Sequence, residues 1–279
     1  MGRYAVTAWS AANAVGTTVA EICDILPRAR SWVRARPEYT HPVAAMSLSG
    51  TDGAARRALR IASVAFGDVL PRISAASSRW GASRVGLVVA ASSRDDDLRK
   101  TAARAGAPIP ASTPACLVAE LGTRAAIRGP AYALVDDPDG ARVWRAAQAL
   151  LQADFVDAVV VAGVAVVGRA AAAGAGEGAA FVVVERTGDA LVELVDVSAN
   201  PAGGWTDDVA YVDAPESGAG THWHVHTGMV AGADLPTSLS IAAEALCRGR
   251  HPLDGTELGG DHVVVRRGRT EIVLHARLT

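Results

Sequence analysis

The stretch Ala131-Tyr132-Ala133-Leu134-Val135-Asp136-Asp137-Pro138-Asp139, with residues 141–153 and 158–167 behind it, decides the fold class. Residues 131–135 are short and almost wholly apolar, which reads as a strand. Asp136-Asp137-Pro138-Asp139 is a helix-start signature. Acidic side chains can accept from the free N–H groups of a first turn and suit its positive end, and proline is tolerated there. Residues 141–153 then read as the helix. Residues 158–167 are continuously apolar, as a strand covered on both faces must be. Strand, helix, strand in that order predicts a right-handed parallel crossover and an α/β protein.

Outward from this block the pattern continues. Residues 85–91 form another continuous apolar run and read as a strand. Residues 54–76 carry Leu59, Ala62, Val69 and Ile73 at helical spacing. Helices are also predicted over 15–26, 95–106, 113–127 and 237–247. Residues 3–9 and 209–212 read as short strands. Residues 179–185 and 191–197 read as a hairpin turning at Gly188-Asp189, and 262–266 with 270–275 as a terminal hairpin. No internal repeat or linker divides the chain, so one domain over residues 1–279 is expected.

Composition narrows the function. Of 279 residues, 50% are hydrophobic and 20% charged, which excludes disorder. The 27 basic and 29 acidic residues nearly balance, so no nucleic-acid face is expected. Lys100 is the single lysine and lies in no glycine cradle, which rules out a phosphate-binding P-loop. The longest apolar run is too short for the roughly 20 residues a membrane span needs, and no signal peptide is recognised. Cys23, Cys116 and Cys247 are scattered and odd in number, giving no disulfide framework. A cytoplasmic location is the expectation.

Two local patterns could carry chemistry. His222, His224 and His226 alternate, so on a strand they would share one face, with Asp261 or His262 as further metal ligands. The bland reading is a polar segment leading into a helix, and neither metal nor cofactor is expected. Gly174-Ala175-Gly176-Glu177-Gly178 precedes a strand, whereas a dinucleotide loop must follow one. Cys116 and Cys247 fall at apolar positions of predicted helices and read as buried, inert thiols.

Taken in order, several segments resemble the β-ketoacyl synthases of the thiolase-like fold. They are the opening Val6-Thr7-Ala8-Trp9-Ser10 running to Gly16, the strand at 85–90, and the helix ending Ile127-Arg128-Gly129-Pro130. The strand at 157–163, Gly176-Glu177-Gly178-Ala179-Ala180 and Val225-His226-Thr227-Gly228 complete the series. The resemblance implies a layered α/β/α/β/α domain. Its C-terminal half is abbreviated, because Gly178 and His226 are only 48 positions apart.

The departures from that family matter more. The resemblance places a nucleophilic cysteine at the helix start after the Gly-Pro strand, where the dipole lowers its pKa. Here that place falls on Asp137 or Pro138. The first active-site histidine is replaced by Pro215, after Tyr211-Val212-Asp213-Ala214, and only His226 is retained. This pattern resembles the chain length factors, or ketosynthase-β subunits, of type II polyketide synthases, above all those making aryl polyenes and related highly reduced chains. The resemblance implies a non-catalytic subunit that pairs with a catalytic ketosynthase through Ala131, Tyr132, Ala133, Leu134 and Val135. It also implies a partner carrier protein bearing the acyl chain, and a tunnel wall from Thr113, Pro114, Leu117, Val118, Leu121 and Tyr132. The rival readings are a stand-alone decarboxylase or hydrolase using Asp137 and His226, a metal hydrolase using His222, His224 and His226, and a subunit that only stabilises its partner.

Overall fold

The computed structural model describes residues 4–28, 31–48, 54–91, 114–135, 137, 140–168, 171–186, 192–198, 210–212, 223, 230, 232–267 and 270–276. Nine strands form one sheet: β1 (Tyr4–Asn13), β2 (Val85–Ala91), β3 (Ala131–Val135), β4 (Ala158–Ala165), β5 (Gly178–Glu185), β6 (Val192–Ser198), β7 (Ala210–Val212), β8 (His262–Arg267) and β9 (Thr270–Ala276). Their order is β3-β2-β4-β5-β1-β6-β9-β8-β7. The helices are α1 (Val19–Ile25), α2 (Ala54–Trp80), α3 (Pro114–Arg124), α4 (Ala141–Gln152) and α5 (Asp234–Arg248).

Every residue of β2, β4 and β5 is buried. The reason is a core on each side of these strands. Leu87, Val89, Val160 and Phe181 pack with Ile61, Phe66, Val69 and Ile73 of α2 and with Leu117 and Leu121 of α3. The alternate residues Val88, Val159, Val161 and Val182 pack with Val143 and Trp144 of α4 and with Leu239 and Ile241 of α5. Val192, Leu194, Val263, Val265, Ile272 and Leu274 close the same second core from the far side. Helix α5 is therefore sandwiched between two halves of the sheet, which are hydrogen-bonded to each other where Tyr4–Val6 meets Val192–Leu194, while α4 packs on β2 and β4 and leaves Arg142, Arg145, Ala149 and Gln152 exposed. The layers run helices, sheet, helices, sheet, and the described residues place no helix outside the second half.

Strands β3, β2 and β4 are parallel. The crossover from β3 through α4 to β4 thus exists, with β2 lying between the two strands it joins. The expected hairpin of residues 179–185 with 191–197 is corrected. β1 inserts between β5 and β6 and pairs antiparallel with both, so a tertiary partner outcompetes the local turn. β1 also runs on to Asn13, and α1 starts only at Val19, capped by Thr18. The terminal hairpin of β8 and β9 is as expected. The helix expected over 95–106 lies outside the described residues. No described helix is long and apolar enough to cross a membrane.

Two buried carboxylates tie α2 to the sheet. The Glu177 side chain, inaccessible to solvent, accepts from Arg57 Nε at 2.7 Å, from Arg57 Nη2, from Met46 N–H at 3.0 Å and from Val167 N–H at 3.3 Å. Glu185 accepts from Thr7 Oγ1 at 2.7 Å, Arg72 Nε at 2.8 Å and Trp80 Nε1 at 3.1 Å. A buried carboxylate persists only when paired and hydrogen-bonded. Arg57→Met removes the charge partner of Glu177 and is expected to lower unfolding free energy by about 3 kcal/mol in denaturant titration. An unchanged midpoint would show that the Met46 and Val167 amides hold Glu177 unaided.

At the end of the strands where Glu185 lies, Arg84 and Arg186 grip the turn at Asp154. Arg84 Nη2 and Arg186 Nη2 reach Asp154 Oδ1 at 2.8 and 2.7 Å, and Arg84 Nε reaches Asp157 Oδ2 at 2.6 Å. The hydrogen bond from Arg84, and next the charge of Arg186, hold the Asp154 carboxyl below the usual carboxylate range. A lowered folded-state pKa gives stability that is complete above the unfolded value, near 4, and is lost as pH falls through the folded one. Denaturant titrations between neutral pH and about pH 3, followed by circular dichroism, should therefore show wild type losing more unfolding free energy than Asp154→Asn, the two converging at the acid end.

Candidate functional site

The C-terminal ends of the parallel strands share one edge of the sheet. Ala91 is in register with Val135 and Val164, and Ala165 with Gly178, which in turn faces Asn13. The first turns of α4 and α5 come to this edge. Their approach depends on glycine. A Cβ on Gly163 of β4 would collide with the Gly232 carbonyl and with Ala233, just ahead of α5. Gly140, at φ 75°, adopts the left-handed conformation at the N-cap of α4, and a side chain there would press on Leu235 and Pro236. The starts of the two central helices are thus packed against each other.

Asp137 sits at this junction, 3% exposed. Its Oδ2 accepts from Val143 N–H at 2.7 Å and its Oδ1 from Arg142 N–H at 3.1 Å. Both donors belong to the first turn of α4, where backbone N–H groups lack helical partners. The carboxylate is therefore a helix cap. The N-cap residue itself is Gly140, and the helix begins at Ala141, so the sequence-based expectation of a cap within Asp136–Asp139 holds for Asp137, reaching in from three residues before the N-cap. A carboxylate held by two amides in the first turn is poorly placed to attack an acyl group, which bears against the hydrolase reading.

Pro138, Pro215, His222, His224, His226 and Thr113 lie outside the described residues. Trp223, between two of the histidines, is inaccessible to solvent and donates from Nε1 to Ser238 Oγ of α5 at 3.0 Å. Asp234, in the first turn of α5, accepts from Val230 N–H at 2.9 Å. These bonds bind residues 223 and 230 to α5. Asp261 and His262 contact each other at 3.3 Å at the start of β8, and His262 stacks on His275 of β9 with centroids 5.2 Å apart. Among the described residues no three His, Cys, Asp or Glu side chains converge on a metal position.

The remaining expected site residues divide by element. On α3, Leu117, Val118 and Leu121 are buried in the core between α2 and the sheet, with Pro114 half-buried at the helix start. On β3, Ala131 and Tyr132 are exposed and Ala133, Leu134 and Val135 half-buried, because β3 is the last strand of the sheet. The cysteines do not reach the junction. Burial pushes the Cys23 thiol up to about 12, and partial desolvation by the surrounding protein with nearby Glu244 pushes the surface thiol of Cys247 to about 11, so both stay protonated at neutral pH. Cys247 is exposed on α5, which corrects its expected burial. Glu177 was missed as a site-forming group by sequence reasoning. The available signal was a charged residue between two glycines immediately before an all-apolar strand.

No family model and no curated protein matches this chain. Solved structures do. The ketosynthase ApeO in complex with its chain length factor ApeC from Xenorhabdus doucetiae matches over 99% of this chain and 98% of that chain, at 15% identity and a TM-score of 0.76. The ketosynthase domain OzmH KS7 of oxazolomycin biosynthesis from Streptomyces albus JA3453 matches over 99% and 76%, at 13% identity and a TM-score of 0.72. A type II polyketide synthase structure, an acyl carrier protein in complex with its ketosynthase bound to the hexaketide, matches over 99% of both chains, at 14% identity and a TM-score of 0.69. The fold is the thiolase-like fold of the ketosynthases.

Asp137→Ala removes both cap bonds and is expected to cost about 1–2 kcal/mol in unfolding free energy. Asp137→Asn keeps one carbonyl acceptor and should cost less. Equal losses in chemical denaturation would show that the carboxylate's charge, not its geometry, caps α4.

Proposed function

We propose that this chain is a non-catalytic chain length factor that pairs with a catalytic ketosynthase during type II polyketide elongation. The observation that carries this reading is the Asp137 carboxylate, itself buried and bound to two amides at the start of α4, where the resemblance to ketosynthases calls for a cysteine thiolate at the place of Asp137 or Pro138. Decarboxylative condensation needs a nucleophile that can hold an acyl chain as a thioester. An aspartyl acyl group would be a mixed anhydride, which water hydrolyses readily. The partner therefore supplies the cysteine and its histidines, and this chain works from the cytoplasm without cofactor or metal.

The pairing surface in this reading is β3. It is terminal in the sheet, apolar from Ala131 to Val135, and free of the charges, prolines and bulges that protect edge strands. A strand from a second ketosynthase-type subunit would complete it. The match along almost the whole length of one chain of a ketosynthase–chain length factor complex supports this assignment. The acyl chain, delivered on its carrier protein, would then grow toward α3. Thr113, Pro114, Leu117, Val118 and Leu121 would close the far end of the tunnel; Tyr132, expected to join them, is in register with Val88 on the other face of the sheet and drops out of this wall. Pressing one more extension unit against a closed wall costs about 1–3 kcal/mol, enough to bias termination roughly tenfold.

Co-expression with a type II ketosynthase should give a one-to-one complex on sizing, and only the complex should extend a carrier-bound chain. The chain alone should release no product from acyl- or malonyl-carrier protein; turnover by the purified chain would overturn the proposal. Within an active complex, Leu117→Ala should shift the product distribution toward longer chains. Its core packing means it should also lower stability by about 2–3 kcal/mol, so product length must be read below the melting transition.

A further inference from the structure

We propose that Phe155, with Tyr132, forms an aromatic anchor beside the β3 edge that seats in the ketosynthase partner; this rests on the heterodimer reading above. Tyr132 and Phe155 are the large hydrophobic side chains left exposed among the described residues, at 49% and 63%. The topology brings both to one corner. Tyr132 is in register with Val88, whose side chain belongs to the core beneath α4, so Tyr132 lies on the α4 side of the sheet. It is the second residue of β3, at the end where the parallel strands begin. Helix α4 runs back from the far end and delivers Phe155 to this same end, three residues after its last turn. Gly86 marks the proximity. A Cβ there would lie 3.3 Å from both the Pro130 carbonyl, immediately before β3, and Val156 Cγ1, immediately after Phe155.

Phe155 is also held in place. Asp154 before it adopts the left-handed conformation at φ 61°. Arg84 donates to the Asp154 carbonyl at 2.7 Å and to its carboxylate at 2.8 Å, and Arg186 donates to the same carboxylate and to the Leu151 carbonyl at 2.8 Å. Phe155 N–H donates to the Leu150 carbonyl at 3.1 Å. Two guanidinium groups thus fix a turn whose large apolar side chain, Phe155, faces solvent. An aromatic residue presented on a rigid turn loses little entropy on docking, which is the property of an interface anchor. Its position next to an unprotected strand edge selects the occupant. In the heterodimer reading, a subunit of the same fold that adds a strand to β3 sits against the corner from which β3 starts.

The test uses the full chain titrated against the ketosynthase. Phe155→Ala should leave the thermal midpoint of the isolated chain unchanged and weaken the complex by about 30-fold. Phe155→Leu should retain most of the affinity. Arg84→Gln, which removes the bonds from Arg84 to Asp154 but keeps the Phe155 ring, should weaken binding less than Phe155→Ala. A wild-type complex whose affinity does not respond to Phe155→Ala overturns the anchor and leaves the heterodimer reading standing. No complex with the wild-type chain overturns both. A homodimer of this chain that Phe155→Ala dissolves overturns the assigned occupant, because the anchor would then serve self-association.

Discussion

Two helices whose first turns meet at one edge of the sheet are the constraint on which this molecule depends. The start of α4 presses on Leu235 and Pro236 of α5 at Gly140, so first-turn groups at this junction must find hydrogen-bond partners inside the protein. Asp137 provides them for α4, and α5 is bound to the preceding chain through Asp234 and Val230. The sheet must also let the helices approach. Gly163 on β4 removes the Cβ that would otherwise hold the start of α5 away. The layering, the buried strands and the junction at the strand ends all follow from these local solutions.

In an active ketosynthase, the positive end of such a helix is the resource that stabilises a thiolate. In this chain the Asp137 carboxylate takes up two of the first-turn amides of α4. The geometry still favours negative charge, and Asp137 satisfies it internally. The same helix end that could have activated a nucleophile instead stabilises the fold. This exchange links the sequence departure to the proposed loss of catalysis, and it leaves the exposed β3 edge as the feature through which the chain can contribute to a larger assembly.

The two ends of the sheet are thus held in different ways. At the C-terminal ends of the parallel strands, glycines and capping carboxylates bring backbone against backbone. At their starting ends, Arg84 and Arg186 converge on Asp154 and Asp157 and make a turn rigid at the surface. The first arrangement shapes an interior junction. The second displays Phe155 beside β3.

The sequence by itself determined the strands β2 and β3 to the residue, most of β4 and β5, and the long helix α2. It did so because continuous apolar runs and helical spacing express burial that any partner would satisfy. Through the resemblance it also pointed to Asp137 or Pro138 as the place of the departure, and it read the cap at the start of α4, since residue chemistry at one position needs no coordinates. The tertiary structure alone decided that β1 separates β5 from β6, because pairing between strands more than 160 residues apart leaves no local mark. It alone decided that Glu177 lies buried against Arg57, 120 residues away, since a glutamate between glycines reads as loop until its partner arrives. It likewise decided that β3 ends the sheet: an apolar strand has the same composition at an edge as at a centre, and only the arrangement of its neighbours distinguishes the two.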